Sequence, residues 1–146
     1  MKNRFEEDYR VAKGLERRYQ EATTEEERQA VREEYTEWES NMETIETEEY
    51  RMLFRLYSDA KERGNEHIDF SDPQQYSDTK NLVDAMRTHE IECFTFSSGW
   101  SSAVETAWEF LQVGCTLEGM VKINGPHKMI LSEEYEKRPA YLFKVN

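Results

Sequence analysis

The chain has 146 residues, a length typical of one domain with room for a modest appendage. It carries 31 Asp+Glu against 19 Lys+Arg, a formal net charge of −12, which argues against direct binding of nucleic acid or of an anionic membrane surface. No apolar run approaches the roughly 20 residues of a spanning helix, and the first residues do not resemble a signal peptide. We therefore expect a cytoplasmic protein whose two cysteines stay reduced.

Two helices are predicted at the start of the chain. Apolar residues recur every three or four positions from Phe5 to Ala22, which is the spacing of one helix face. Thr24, with Glu27 three residues later, forms a capping box, the sequence signature of a second helix start.

The second helix is predicted to be long. Its apolar residues recur at alternating steps of four and three, as in a coiled coil. They are Val31, Tyr35, Trp38, Met42, Ile45, Met52 and Leu56, and Glu49 occupies one position of the same series. Gly64 and Asn65 provide the stop, so the helix would extend over about 40 residues and about 60 Å. We predict an antiparallel helical hairpin whose seam packs against the first helix or, as a homodimer, against a second copy.

The rest of the chain alternates between strand and helix patterns. Strands are predicted at 67–70, 91–97, 116–123 and 140–145, and helices at 72–88 and 102–114. In the last helix the expected buried residues are Trp100, Val104, Ala107, Trp108 and Leu111.

A turn is predicted at Asn124-Gly125, returning through Met129-Ile130-Leu131 as a hairpin. The predicted fold class is α+β. A helical hairpin arm over 1–65 is followed, over 66–146, by a small mixed β-sheet with two helices.

A dense acidic stretch occupies the predicted arm. Residues 20–50 contain twelve Glu against Arg28 and Arg32, a local net charge of −10. Because helix residues three or four apart are neighbours, these carboxylates form like-charged pairs along the outer face. Such a row could occupy a basic groove made for nucleic acid, with carboxylates in place of phosphates. The predicted partner-binding residues are Glu33, Glu34, Glu37, Glu39, Glu43 and Glu46, and the alternative is a solvated helix face.

No motif predicts catalysis, a cofactor or a metal site. Cys93 and Cys115 have no Cys-x-x-Cys pairing, and the three histidines are scattered. The loop 97–102 has a single glycine and fits helix capping better than anion binding. An unrecognised enzyme site at Cys93 or Ser98 stays open as a minor alternative.

Three segments of the second half resemble a known group of proteins. They are Phe94–Trp108 (FTFSSGWSSAVETAW), Leu117–Ile123 (LEGMVKI) and Tyr135–Asn146 (YEKRPAYLFKVN). These segments are similar to small uncharacterised proteins of conjugative elements and phages in gut Firmicutes. The resemblance brings no catalytic residues. It implies a mobile-element context, in which small acidic proteins block host defences as anti-restriction proteins or anti-CRISPRs.

Charge placement and resemblance together predict a non-enzymatic inhibitor. Its partner would be a basic, nucleic-acid-binding defence nuclease of the host, engaged through the acidic, DNA-mimicking helix. The alternative is a structural, oligomerisation or regulatory accessory module without a nuclease partner.

Overall fold

The computed structural model describes residues 3–45, 48–71, 79–98 and 103–146. Within these residues it contains five helices and four strands, and the predicted α+β class is confirmed. In chain order they are α1 (Asn3–Glu21), α2 (Glu25–Ile45), α3 (Glu48–Arg63), β1 (Ile68–Phe70), α4 (Thr79–Thr88), β2 (Cys93–Phe96), α5 (Ala103–Gln112), β3 (Thr116–Lys128) and β4 (Tyr135–Lys144).

The chain divides into two compact units inside α3. We call Met1–Phe54 unit 1 and Arg55–Asn146 unit 2. The sequence-based boundary lay between residues 65 and 66, at the end of that helix. None of the described helices combines the length and hydropathy that crossing a membrane requires.

Unit 1 contains the predicted hairpin of α1 and α2, which a three-residue connection joins. The Glu27 N–H donates to Thr24 Oγ1 at 3.1 Å, and the Glu27 carboxylate accepts from the Thr23 N–H at 2.9 Å. This confirms the predicted capping box at the start of α2. Leu15 of α1 and Val31 of α2 are buried, as their helical spacing predicts.

The prediction of one 40-residue helix is wrong. The rings of Trp38 and Phe54 lie 6.2 Å apart, whereas sixteen residues of continuous helix would separate them by about 24 Å. Tyr50 stacks on Phe5 with ring centroids 4.9 Å apart, so the start of α3 packs against α1. Glu49 lies in the first turn of α3, where the helix dipole favours an acid. Glu49, which interrupts the apolar series in the sequence, therefore belongs to the start of a new helix.

Unit 2 is built on a four-stranded mixed sheet of order β1-β2-β4-β3. β1 pairs with β2 in parallel, and the other two pairs are antiparallel. The core on one face of the sheet consists of five buried phenylalanines: Phe70, Phe94, Phe96, Phe110 and Phe143. Helix α4 buries Leu82, Val83 and Met86, as predicted.

The predicted buried face of α5 is wrong. Val104, Trp108 and Leu111 are 74%, 57% and 43% exposed, whereas Phe110 is buried at 1%. Trp100 lies outside the described residues. Helix α5 carries apolar residues on both faces, and the face that packs on the sheet brings the Phe110 ring to 4.8 Å from that of Phe94. Spacing alone could not distinguish the two faces.

The predicted turn at Asn124-Gly125 is also wrong, because β3 continues through it to Lys128. The strand pairing shifts register there, which is typical of a β-bulge. A Cβ on Gly125 would lie 2.7 Å from the Glu136 carboxylate and 2.9 Å from Arg138 Nε. A side chain at this position would therefore require the Glu136 and Arg138 side chains to move, and the chain reverses after Lys128.

The predicted end of α3 at Gly64 and Asn65 is confirmed, and Asn65 also contacts the sheet. Gly64 has φ +73°, and the Asn65 N–H donates to the Ala60 carbonyl at 2.8 Å, as in a Schellman motif. The Asn65 side chain then bonds the backbone of Asn124 on β3. Its amide donates to the Asn124 carbonyl, and its oxygen accepts from the Asn124 N–H, both at 2.9 Å. This side chain therefore replaces a neighbouring strand at that point.

Candidate protein-binding surface on α2

Helix α2 presents three exposed carboxylates on its outward side. Glu26, Glu33 and Glu37 are separated by seven and four residues, so they follow one line along the helix, which we call the outer line. Glu33 and Glu37 are about 6 Å apart along the axis. Gln29 donates to Glu33 at 3.4 Å, and among the described residues none of the three glutamates forms an ion pair. The outer line is therefore uncompensated negative charge.

Glu34 forms an ion pair within the hairpin. Its two carboxylate oxygens accept from the Arg18 guanidinium of α1 at 3.0 and 2.6 Å. These hydrogen bonds hold the pKa of Glu34 below its usual value and raise the pKa of Arg18. Because Arg18 neutralises this carboxylate, Glu34 positions α2 against α1 and adds little free charge to the surface.

The other predicted residues do not join the outer line. Glu39 is exposed, but two residues of helix rotate it by about 160° from Glu37, to another side of α2. The side chain of Glu43 and the whole of Glu46 lie outside what the structure describes. The six predicted glutamates therefore do not form a single row.

Unlike Glu26, two other carboxylates in the first turn of α2 form contacts within the hairpin. Glu25 accepts from Arg32 at 2.9 Å, and this hydrogen bond lowers the pKa of the Glu25 carboxyl. The pKa of Glu27 is also lowered, because the Thr23 N–H donates to its carboxylate. Arg32 in turn donates to the Tyr19 hydroxyl at 3.1 Å. These contacts stabilise the hairpin turn and leave the charge of the outer line unpaired.

Sequence reasoning missed a buried carboxylate in unit 2. Asp69 on β1 is 8% exposed and accepts from Thr95 Oγ1 at 2.7 Å and Ser97 Oγ at 2.6 Å. Burial raises the pKa of Asp69, while these two bonds and the charges of Arg138 and Arg63 partly oppose the rise. The available signal was strand alternation, which places Asp69 on the sheet face opposite its apolar neighbours. Each carboxylate oxygen of Asp69 therefore accepts one hydrogen bond from a neighbouring hydroxyl.

The two cysteine thiols are not activated. Cys93 is half-buried, and burial together with the negative charges of Glu92 and Glu118 raises the pKa of its thiol. Burial likewise raises the pKa of Cys115. A reactive cysteine needs the opposite shift. Residues 99–102 of the serine loop lie outside the described residues, and no group of three or more His, Cys, Asp or Glu within the described ranges could hold a metal ion.

Unit 2 has a pocket of about 340 Å³ on the sheet face that carries Asp69 and Thr95. Its polar lining includes Asn65, His67 and Lys137, above the apolar side chains of Val121, Ile123 and Leu142. Lys137 donates to the Asn124 side chain, and His67 faces Glu66 at 3.9 Å. Lys137 and His67 therefore already have polar partners within unit 2.

Comparison with known proteins assigns the second half of the chain to a family. The model of a domain of unknown function, DUF7698, matches residues 52–145, and α1 and α2 lie outside that match. No curated protein and no solved structure matches the chain. Because the match covers nearly two thirds of its residues, the chain belongs to the DUF7698 family.

Proposed function

We propose that the chain is a non-enzymatic binding protein whose outer line docks in a basic groove built for nucleic acid on a partner protein. The observation that supports this is the uncompensated charge of Glu26, Glu33 and Glu37. Elsewhere on α2, Arg18 and Arg32 neutralise Glu34 and Glu25. A helix face under selection for solubility alone would be expected to interleave both signs of charge.

A helix is a suitable carrier for phosphate surrogates. It holds carboxylates at fixed separations, so little conformational entropy is lost when they meet Lys and Arg of a partner. Charge complementarity also raises the association rate and makes it sensitive to salt. The packing of α2 on α1, where Leu15 and Val31 are buried, holds the outer line on a supported helix.

The partner class we propose is a defence nuclease of the host, inhibited in the cytoplasm. This step rests on the resemblance of residues 94–146 to proteins of mobile elements, whose acidic products block restriction or CRISPR systems. Such inhibition needs no cofactor and no metal in this chain.

The test is a pull-down from host lysate at low and high salt with a matched pair of variants. Glu33→Lys/Glu37→Lys reverses the outer line, and Glu7→Lys/Glu92→Lys changes net charge equally at exposed sites elsewhere. We expect a nuclease that high salt releases, that the outer-line variant fails to retain, and that the control variant retains. Added duplex DNA should compete with the chain for that nuclease.

Three outcomes would contradict the proposal. Retention by both variants would show a solvated helix face, and loss with both would show a non-specific charge effect. Retention that does not change with salt would exclude an exposed electrostatic contact.

A second candidate function is oligomerisation through the α1–α2 seam. A groove of about 540 Å³ lies along this seam, lined in part by Leu15, Val31 and the half-exposed rings of Tyr19 and Tyr35. If a second copy fills it, Tyr35→Asp should convert a dimer into a monomer in sedimentation velocity. An unchanged sedimentation coefficient would exclude the seam.

A further inference from the structure

Unit 2 exposes a projecting apolar turn between β3 and β4. Met129, Ile130 and Leu131 are 53%, 93% and 103% exposed, and we call these three residues the tip. Three consecutive large apolar side chains in water are unfavourable for a monomer and typical of a contact surface.

The backbone of the tip is hydrogen-bonded within the turn, and its conformation is strained. The Ser132 N–H donates to the Met129 carbonyl at 3.1 Å, and the Met129 N–H donates to the Glu134 carbonyl at 2.8 Å. Leu131 has φ +59°, a left-handed conformation that suits Gly or Asn and is unfavourable for a bulky residue. Local stability favours glycine here, so the leucine side chain points to a role outside the turn.

A second uncovered apolar surface lies beside α5. Glu109 of α5 accepts from Thr79 of α4, so that side of α5 faces α4. Helix α5 also lies near β3, where Met120 pairs with Tyr141 in the sheet and is 61% exposed. We call this surface the apolar face; its members are each at least 43% exposed and are Val104, Trp108, Leu111, Leu117 and Met120.

The tip cannot cover the apolar face of its own chain. The β4 partners of Met120 and Lys128 are Tyr141 and Tyr135, which are six residues apart, so Met120 and Lys128 lie about 20 Å apart along the sheet. A second copy carries both surfaces and can cover both at once through a two-fold axis. Charge agrees with this pairing. Glu134 adjoins the tip and Lys122 adjoins the apolar face, and neither forms an ion pair among the described residues.

We propose that the chain forms a two-fold dimer in which the tip of each copy inserts into the apolar face of the other. Glu134 of each copy lies near Lys122 of its partner and fixes the orientation. A lipid surface is the less suitable occupant, because Glu133 and Glu134 lie two and three residues after the tip and the chain carries a net charge of −12.

The first experiment is sedimentation velocity on the full chain over a range of concentrations. We expect a concentration-dependent dimer, and Ile130→Ser/Leu131→Gly should raise its dissociation constant at least about tenfold. At a concentration at which the wild type is monomeric, the same variant should melt no lower than the wild type, because glycine relieves the positive φ. Val11→Ser, at a 40% exposed apolar site in unit 1, is the matched control and should leave the dimer unchanged.

The second experiment identifies which surfaces meet. Met120→Ser/Leu117→Ser should abolish the dimer in the same way, but a mixture with the tip variant should form a heterodimer through the one intact tip and the one intact apolar face. Contacts between two tips, or between two faces, would give no such complementation. Lys122→Glu and Glu134→Lys should each weaken the dimer, and the double variant should restore it.

Several results would overturn the proposal. They are a wild type that stays monomeric at every concentration, a tip variant that dimerises normally, and a dimer that only Tyr35→Asp dissociates. Tip-dependent co-sedimentation with phosphatidylcholine vesicles by a monomeric wild type would assign the tip to lipid.

Discussion

The two units contrast in what holds them together. Unit 1 carries a net charge of −7 over 54 residues, and it combines a small buried core with exposed ion pairs such as that of Arg18 with Glu34. Unit 2 carries −5 over 92 residues and encloses the Phe110 ring among four other phenylalanines. The DUF7698 match begins at residue 52. The match therefore covers the aromatic-cored sheet, and the acidic hairpin of α1 and α2 lies outside it.

The largest expected effect tests the aromatic core. Phe110→Ala should lower the free energy of unfolding by about 3–5 kcal/mol, because it leaves a cavity where one ring contacts four others. Val31→Ala in the core of unit 1 should cost less, since it removes only two methyl groups. Urea unfolding followed by circular dichroism measures both. Equal losses would remove the contrast between the units.

Asp69 tests whether polar burial also distinguishes unit 2. Asp69→Ala should cost about 1–3 kcal/mol in urea unfolding, because the hydroxyls of Thr95 and Ser97 lose their acceptor in a buried site. Asp69→Asn keeps the shape and should cost less. A wild-type stability in the alanine variant would mean that water satisfies the two hydroxyls.

Acid should affect unit 1 through carboxylates whose pKa values are lowered. Glu25, Glu27 and Glu34 favour the folded state above their ordinary value of 4.5, and this contribution is lost as the pH falls through their folded values. Asp69 has the opposite sign: its pKa is raised, so the cost of its buried charge disappears as the pH falls toward 3.8. We therefore expect amide signals of α1 and α2 to lose dispersion in NMR spectra before those of the sheet. Simultaneous loss would contradict this order.

The smallest effect concerns the exposed pair of Arg18 and Glu34. A double-mutant cycle with Arg18→Ala and Glu34→Ala should give only a small coupling free energy at low salt, because both side chains are exposed to solvent. High salt should reduce it. A coupling several times larger would mean that ion pairs rival the aromatic core in importance.

Local signals predicted the ends of elements well. Thr24 and Glu27 gave the start of α2, and Gly64 gave the end of α3, because capping depends on a few neighbouring residues. Long-range packing was the difficulty. Trp108 has the spacing of a buried residue, yet which side of α5 meets the sheet depends on Phe110 and on partners distant in sequence.

The candidate surface could be predicted only in part. Exposure of Glu33 and Glu37 follows from helical periodicity, and the structure has both exposed. That Glu34 pairs with Arg18 depends on how α1 lies against α2, which spacing within one helix does not reveal. Asp69 escaped notice because its partners Thr95 and Ser97 are 26 and 28 residues away.

The bond between Asn65 and β3 has a consequence for the behaviour of the chain at high concentration. β3 is an edge of the described sheet, and exposed edges recruit strands from other molecules into aggregates. The Asn65 amide uses both backbone groups of Asn124 and so denies them to an incoming strand. Asn65→Ala would open this position while leaving the aromatic core intact. The Asn65 side chain thus protects this edge of the sheet from strand addition. We expect Asn65→Ala to accelerate aggregation, as measured by thioflavin-T fluorescence.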